Sequence, residues 1–213
     1  MSNKNTLQLW LLPINNEKKL ITDYEENLSK KLPPKSSKNF IYTRGCVREV
    51  LADFFGINVL SVPLEALPGK APKLRNDLGN ISFSHCRDAL LIGWSDIKVG
   101  VDIERKDRIL GSSPIIKRFY CQEEKKELET LNQINQKQKV LKFWTMKEAA
   151  IKWQEGSIFR DLPYWLIREK QNKIYHKKLE ILLNIKSLNY KYFSLAIAHN
   201  SNNLEIKPLI KSI

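Results

Sequence analysis

The stretch "ALLIGWSDIKVGVDIE", residues 89–104, constrains the fold more than any other part of the chain. Two apolar runs, each too short for a buried helix and rich in residues that suit a pleated surface, flank the polar triplet Asp96 to Lys98. They read as paired strands, a hairpin at mid-chain. Side chains alternate along a strand, so Val99, Val101 and Ile103 share one face, while Gly100, Asp102 and Glu104 share the other. Two carboxylates therefore point the same way. Like charges this close repel unless a cation joins them, and hard oxygen ligands at this spacing suit Mg²⁺ or Mn²⁺. Taken alone, the pair also fits a solvated strand face, because acids are mostly exposed.

The flanking sequence supplies helices and further strands. Near the start, "LQLWLLPI" reads as a strand, too short for a secretory leader or a membrane span. Residues 36–55 place Phe40, Ile41, Val47, Val50, Leu51, Phe54 and Phe55 at helical spacing, with Gly56 as a stop. Residues 59–80 are rich in Pro and Gly and read as a surface connection holding the basic loop "PGKAPKL". From Ser113 the helical pattern returns through "IIKRFYCQEEKKELETL" and again from about Gln138 to Gln154. Residues 125–139 read as a polar, mobile connection. After Gly156 come the strands "YWLIRE", "KKLEILL" and "YFSLAIAH". Each half thus offers helix followed by sheet. A faint likeness between "FSHCRDALLIGWS" and "YFSLAIAH" suggests an internal duplication.

With 213 residues and 42% hydrophobic content, the chain can bury a core as one large domain or two small ones. Its 36 Lys and Arg against 23 Asp and Glu give +13, a field that attracts a polyanion or an acidic protein without choosing between them. Cys46, Cys86 and Cys121 are odd in number and widely spaced, which fits a reducing cytosol and argues against zinc or a disulfide framework.

The segment "FWTMKEAAIKW", residues 143–153, sets charges between tryptophans. Glu148 and Lys152 are four apart and share a helix face, with Trp144 one turn earlier on the same side. The bland account is a surface pair contributing about 0.3–0.5 kcal/mol. An acid that completes a metal shell, beside an ammonium that neutralises a transferring phosphoryl group, needs the same arrangement.

Taken together and in this order, "NISFSHC", "GVDIE" and "FWTMKEAAIK" resemble the signature of the Sfp-type 4′-phosphopantetheinyl transferases, and the likeness runs from Arg44 to about Gly156. The resemblance implies that Asp102, Glu104 and Glu148 are Mg²⁺ ligands, with Mn²⁺ as an alternative, and that Lys147 and Lys152 are the lysines flanking the last acid. It assigns coenzyme A contacts to Ser84 and His85 of "FSHC", to Lys70 of "PGKAP", to Lys147 and Lys152, and to Arg44, which matches the arginine holding the 3′-phosphate. Ser82, Cys86 and Ala71 depart from the usual pattern, and Lys35 and Lys38 match it only loosely. None of these departures removes a metal ligand.

The implied reaction uses coenzyme A as co-substrate and moves its phosphopantetheine arm to a serine of an apo acyl or peptidyl carrier protein, releasing adenosine 3′,5′-bisphosphate. Asp102, Glu148 and Lys152 form the implied catalytic group, with Glu148 as the base and Lys152 at the leaving phosphate. The implied fold is α+β, a pseudo-dimer of two similar α+β halves, 1–110 and 111–213, with the site in the cleft between them. The expected protein is a cytoplasmic monomer with acidic carrier-protein partners and neither nucleic acid nor membrane. A metal-dependent nuclease using "DIERK" with Asp88, or a basic nucleic-acid-binding module, is the rival reading. It leaves "WTMKEAAIK" and "FSHC" unexplained, and the chain has no recognisable aromatic RNA-binding motif.

Overall fold

A computed structural model describes residues 5–15, 17–75, 77–108, 110 and 112–211. The first half of the chain runs β1 (Asn5–Pro13), α1 (Asp23–Ser29), α2 (Pro34–Phe55), β2 (Leu64–Glu65), β3 (Lys73–Leu74), β4 (Asn80–His85), β5 (Ala89–Ser95) and β6 (Val99–Arg105). The helices α3 (Ser112–Phe119), α4 (Gln122–Glu129), α5 (Gln133–Gln154) and α6 (Ile158–Asp161) follow. The chain ends in β7 (Trp165–Arg168), β8 (Lys173–His176), β9 (Ile181–Tyr190), β10 (Phe193–His199), β11 (Leu204–Ile206) and β12 (Ile210–Lys211). The architecture is mixed α+β. Among the described residues no helix is long and apolar enough to cross a membrane.

Two five-stranded sheets carry the structure. One has the order β11-β1-β5-β4, with β12 also on β1, and the other β6-β10-β9-β8-β7. Alternation assigns their faces. Leu7, Leu9 and Leu11 of β1 pack with Ala89 and Leu91 of β5 against Val99, Val101 and Ile103 of β6 and Leu195 and Ile197 of β10, which closes one sheet on the other. On its opposite face the first sheet presents Trp10, Ile81, Leu90 and Ile92 to Tyr42, Val47 and Leu51 of α2. The second sheet presents Ile174, Leu183, Ile185, Ala196 and Ala198 to Phe143, Met146 and Ala150 of α5. The result is a stack of helix, sheet, sheet and helix, in which α2 and α5 are each 22 residues long.

The hairpin expected at mid-chain does not form. β5 already pairs with β1 on one side and β4 on the other, so both its edges are taken and β6 has no free edge to join. The chain therefore crosses to the second sheet, where β6 pairs antiparallel with β10. β11 and β12 make the return journey and pair with β1. Strand membership thus crosses the expected boundary at residue 110 in both directions, and residues 109 and 111 beside that boundary lie outside the described ones.

The helix ends follow local chemistry. α2 opens with Pro34 at a position whose N–H needs no partner, and it stops at Gly56, whose φ of 66° is left-handed. The single helix expected through residues 115–131 breaks at Tyr120 and Cys121: the backbone N–H of Cys121 donates to the Glu124 carboxylate at 3.0 Å, starting α4, and Tyr120 turns into the core. Residues 125–139 are largely helical rather than a mobile connection. Asn132 caps α5 by accepting from the Asn135 N–H at 3.0 Å, and Leu128 and Val140 are fully buried, so α5 starts five residues earlier than the apolar pattern suggests. The connection at 59–80 is also partly internal. The Arg48 guanidinium donates to the Val62 carbonyl at 2.8 Å, and Val62, Leu64 and Ala66 are buried.

Candidate active site

The site begins with a glycine. A Cβ on Gly100 of β6 would lie 2.0 Å from the Ala149 carbonyl oxygen and 2.5 Å from the Trp153 backbone nitrogen, so the absence of a side chain lets α5 lie directly on β6. The Trp153 indole N–H donates to the Lys98 carbonyl at 3.0 Å and fixes the same contact at the strand's start. One helical turn of α5 then stands over the carboxylate face of β6. The alternation expected of β6 holds: Val99, Val101 and Ile103 join the core between the sheets, and Asp102 and Glu104, also buried, are not part of it.

Asp102 is the centre of the arrangement and is 1% exposed. Its Oδ1 accepts from the Lys152 ammonium at 2.7 Å and from the Ser84 hydroxyl at 2.6 Å, so α5 and the first sheet's β4 meet on one oxygen. Its Oδ2 is buried with no hydrogen-bond partner. Ser82, two residues before Ser84, accepts from the Val101 N–H at 3.0 Å and sets the spacing of β4 against β6. Glu148, one turn before Lys152, is pushed up to about 7, first by burial and then by the charge of Asp102; Lys152, Arg108 and the Trp144 indole act in the opposite direction. Glu104 forms an ion pair with Arg108, whose guanidinium lies 5.9 Å from the centre of the Trp144 ring.

The other expected contacts divide. His85 feels Lys152, Arg44 and Asp102; burial is the largest cause holding it below its ordinary value, and the two cations add to it. Arg44 is buried, donates from Nε to the Ala66 carbonyl at 2.9 Å, and has its guanidinium 4.5 Å and 4.9 Å from the centres of the Phe40 and Phe83 rings. Desolvation lowers it to about 10. Lys70 is exposed in the turn after Gly69, and among the described residues no hydrogen bond or ion pair joins it to the carboxylates. Lys147 is placed elsewhere. It is 0% exposed, donating to the Glu124 carboxylate at 2.7 Å and the Phe119 carbonyl at 3.0 Å, with its ammonium 4.7 Å from the centre of the Tyr120 ring. It serves as a buried tie between α5 and the α3–α4 corner, not as a nucleotide contact. Asp88, the extra ligand of the nuclease reading, pairs with Arg105.

Two participants were not visible in the sequence. Glu124 satisfies Lys147, the Cys121 N–H and the Ile167 N–H at once, yet it stands in a run of similar acids. Arg108 lies in the segment after β6, where no periodicity points. Beside the carboxylates a cavity of about 490 Å³ is lined by His85, Cys86, Arg87, Glu104, Arg105, Asp107 and Arg108, a basic wall at the mouth of the site.

Among the described residues no three His, Cys, Asp or Glu side chains already stand grouped to hold a metal ion. The donors fit a divalent cation all the same. Asp102 keeps an unpartnered buried oxygen, and Glu148 beside it is held towards its neutral form first by burial and then by the charge of Asp102, a repulsion that a cation would relieve.

No curated protein matches the chain. Residues 98–202 match the family described as ACPS, the 4′-phosphopantetheinyl transferase superfamily. That span contains β6 with Asp102 and Glu104, and α5 with Glu148 and Lys152. The family uses coenzyme A, usually with a divalent metal, and acts on carrier proteins. The match and the constellation therefore agree: residues 98–202, just under half of the chain, are similar to the 4′-phosphopantetheinyl transferase superfamily.

Proposed function

We propose that the chain is an Sfp-type 4′-phosphopantetheinyl transferase, moving the phosphopantetheine arm of coenzyme A to the serine of an apo acyl or peptidyl carrier protein. One observation carries the reading: Lys152 and Ser84 converge on buried Asp102, with Glu148 alongside. A structural ion pair needs no second carboxylate held near neutrality beside it. A phosphoryl-transfer site needs an ammonium, a proton acceptor and a place for cationic charge together.

Each residue has a task in that chemistry. Coenzyme A carries a pyrophosphate and a 3′-phosphate, so cations must meet it along its length. Arg44 presents guanidinium N–H groups beyond the one given to Ala66, and it suits the 3′-phosphate. His85 feels the charges of both Arg44 and Lys152. The carrier serine Oγ attacks the phosphorus that bears pantetheine. The bond from that phosphorus to the bridging oxygen breaks, and adenosine 3′,5′-bisphosphate leaves with that oxygen. The serine proton passes to Glu148, the carboxylate beside Asp102 and Lys152. Lys152 stabilises the charge that appears on the leaving phosphate. Asp102, Glu104 and Glu148 would hold Mg²⁺ or Mn²⁺, which when bound neutralises charge on the pyrophosphate. Lys147 contributes by fixing the rotation of α5.

The net charge of +13 steers an acidic carrier protein toward the basic wall. The test is to incubate the protein with coenzyme A, Mg²⁺ and a panel of apo carrier proteins and to weigh the products. A carrier heavier by one phosphopantetheine, with one equivalent of adenosine 3′,5′-bisphosphate released, is the expected result. Unchanged carriers across acyl and peptidyl types would sink the reading.

A further inference from the structure

Every carboxylate that faces the site is answered by a neighbouring group, but not equally firmly. Asp102 is buried and gripped by both Lys152 and Ser84. Glu148 has no salt bridge among the described residues and is balanced through space by Lys152 and Arg108. Glu104 has one partner, Arg108, and the two differ in exposure: the Glu104 side chain is 9% exposed, that of Arg108 41%. A pair with one half-exposed arm is held loosely. The Arg108 guanidinium also lies 5.9 Å from the centre of the Trp144 ring and on the wall of the 490 Å³ cavity, next to His85 and Arg87. It touches both the carboxylate group and the space where a polyphosphate must lie.

We propose that Arg108 is an exchangeable counter-cation of the site. While no divalent ion is present it neutralises Glu104. When an ion takes the carboxylates, the guanidinium is displaced to the adjoining cavity, where its fork of N–H donors takes up a phosphate oxygen of the co-substrate. This rests on the reading that Asp102, Glu104 and Glu148 hold a divalent ion. The absence of a ready-made group of three ligands among the described residues is consistent with the same arrangement, because side-chain cations stand on two of the three acids. The proposal assigns Arg108 two opposed effects: it competes with the metal and assists the nucleotide. A residue that only braced Glu104 would have one, since its loss would weaken both.

The test measures binding, not turnover. Mn²⁺ alone is titrated into wild type, Arg108→Gln and Arg108→Lys by calorimetry and by the loss of the free-ion paramagnetic signal. Coenzyme A is then titrated at saturating Mn²⁺. Arg108→Gln is expected to bind Mn²⁺ at least about threefold more tightly and coenzyme A at least about threefold more weakly than wild type. Arg108→Lys, which keeps a charge but loses the fork, should bind Mn²⁺ like wild type and coenzyme A more weakly. Mn²⁺ bound equally or more weakly by Arg108→Gln, or coenzyme A affinity unchanged in that variant, overturns the exchange. If wild type binds no Mn²⁺ and Arg108→Gln does, the competition is established in its strongest form. If neither binds Mn²⁺, the metal reading falls and the exchange with it, whereas wild-type binding with an unchanged variant removes the exchange alone.

Discussion

Replacing Gly100 by alanine tests whether the contact between β6 and α5 makes the site. The added methyl would stand 2.0 Å from the Ala149 carbonyl oxygen, 2.5 Å from the Trp153 nitrogen and 3.0 Å from the Trp153 Cβ. The first two are helix backbone and cannot rotate aside, so strand and helix must part by about 1 Å to reach ordinary van der Waals distance. The Lys152–Asp102 contact, now 2.7 Å, would then pass the length at which a hydrogen bond survives. Overpacking of this kind costs roughly 1–3 kcal/mol of stability, and a displacement of about 1 Å between reacting groups costs roughly 10²-fold in rate. Urea denaturation reads the first, and the initial rate of carrier-protein modification, followed by mass, reads the second. Gly93→Ala is the control, because its methyl would meet the Val101 Cγ1 at 2.8 Å, a side chain in the core between the sheets and away from the carboxylates. Stability should fall in both variants, but only Gly100→Ala should lose about two orders of magnitude in rate. Equal rate losses in the two variants would refute the reasoning.

Other consequences follow from single contacts. Lys147→Met should cost roughly 3–5 kcal/mol in urea denaturation by leaving the Glu124 charge without its cation in the core, and Glu124→Gln added to it, which removes the charge but keeps an acceptor for the Cys121 and Ile167 N–H groups, should recover much of the loss. A Lys147→Met protein as stable as wild type would show that the pair is idle. Arg44→Ala should weaken coenzyme A binding by roughly 10- to 150-fold, the worth of a charged hydrogen bond, and should abolish the preference for coenzyme A over its analogue lacking the 3′-phosphate. An undiminished preference, read by calorimetry with the two ligands, would take Arg44 out of the site. His176 is 1% exposed and burial holds it below 6.5, so the fold favours its neutral form: its contribution is intact above pH 6.5 and is lost as pH falls below that value. His176→Gln should therefore lose less stability than wild type between pH 7.5 and 5.5, and parallel losses in urea midpoints would contradict this.

How far the sequence could be read depended on whether a feature was local. The alternation of β6 was legible, because period two places Asp102 and Glu104 on one face wherever the strand goes. Its partner was not: the hairpin fails because β1 and β4 occupy both edges of β5, and nothing within residues 89–104 says so. Glu148 and Lys152 were legible as one face of a helix. Lys147 could have been separated from them by the same rule, since one residue turns a helix by about 100° and carries the side chain off that face towards Glu124. The family likeness drew the two lysines together where helix geometry holds them apart. Arg108 follows the strand in irregular chain, where no period assigns a direction, and only the folded structure sets it on Glu104.

The central claim is that Asp102 and Glu148, brought together from β6 and α5, act as one site in phosphopantetheine transfer. The most direct measurement is a double-mutant cycle on the initial rate of carrier-protein modification, using Asp102→Ala, Glu148→Ala and the double variant, each checked for folding. If the two carboxylates act as one unit, the double variant is about as slow as the slower single variant. A double variant whose loss equals the product of the two single losses, or single variants that transfer at the wild-type rate, would contradict the account.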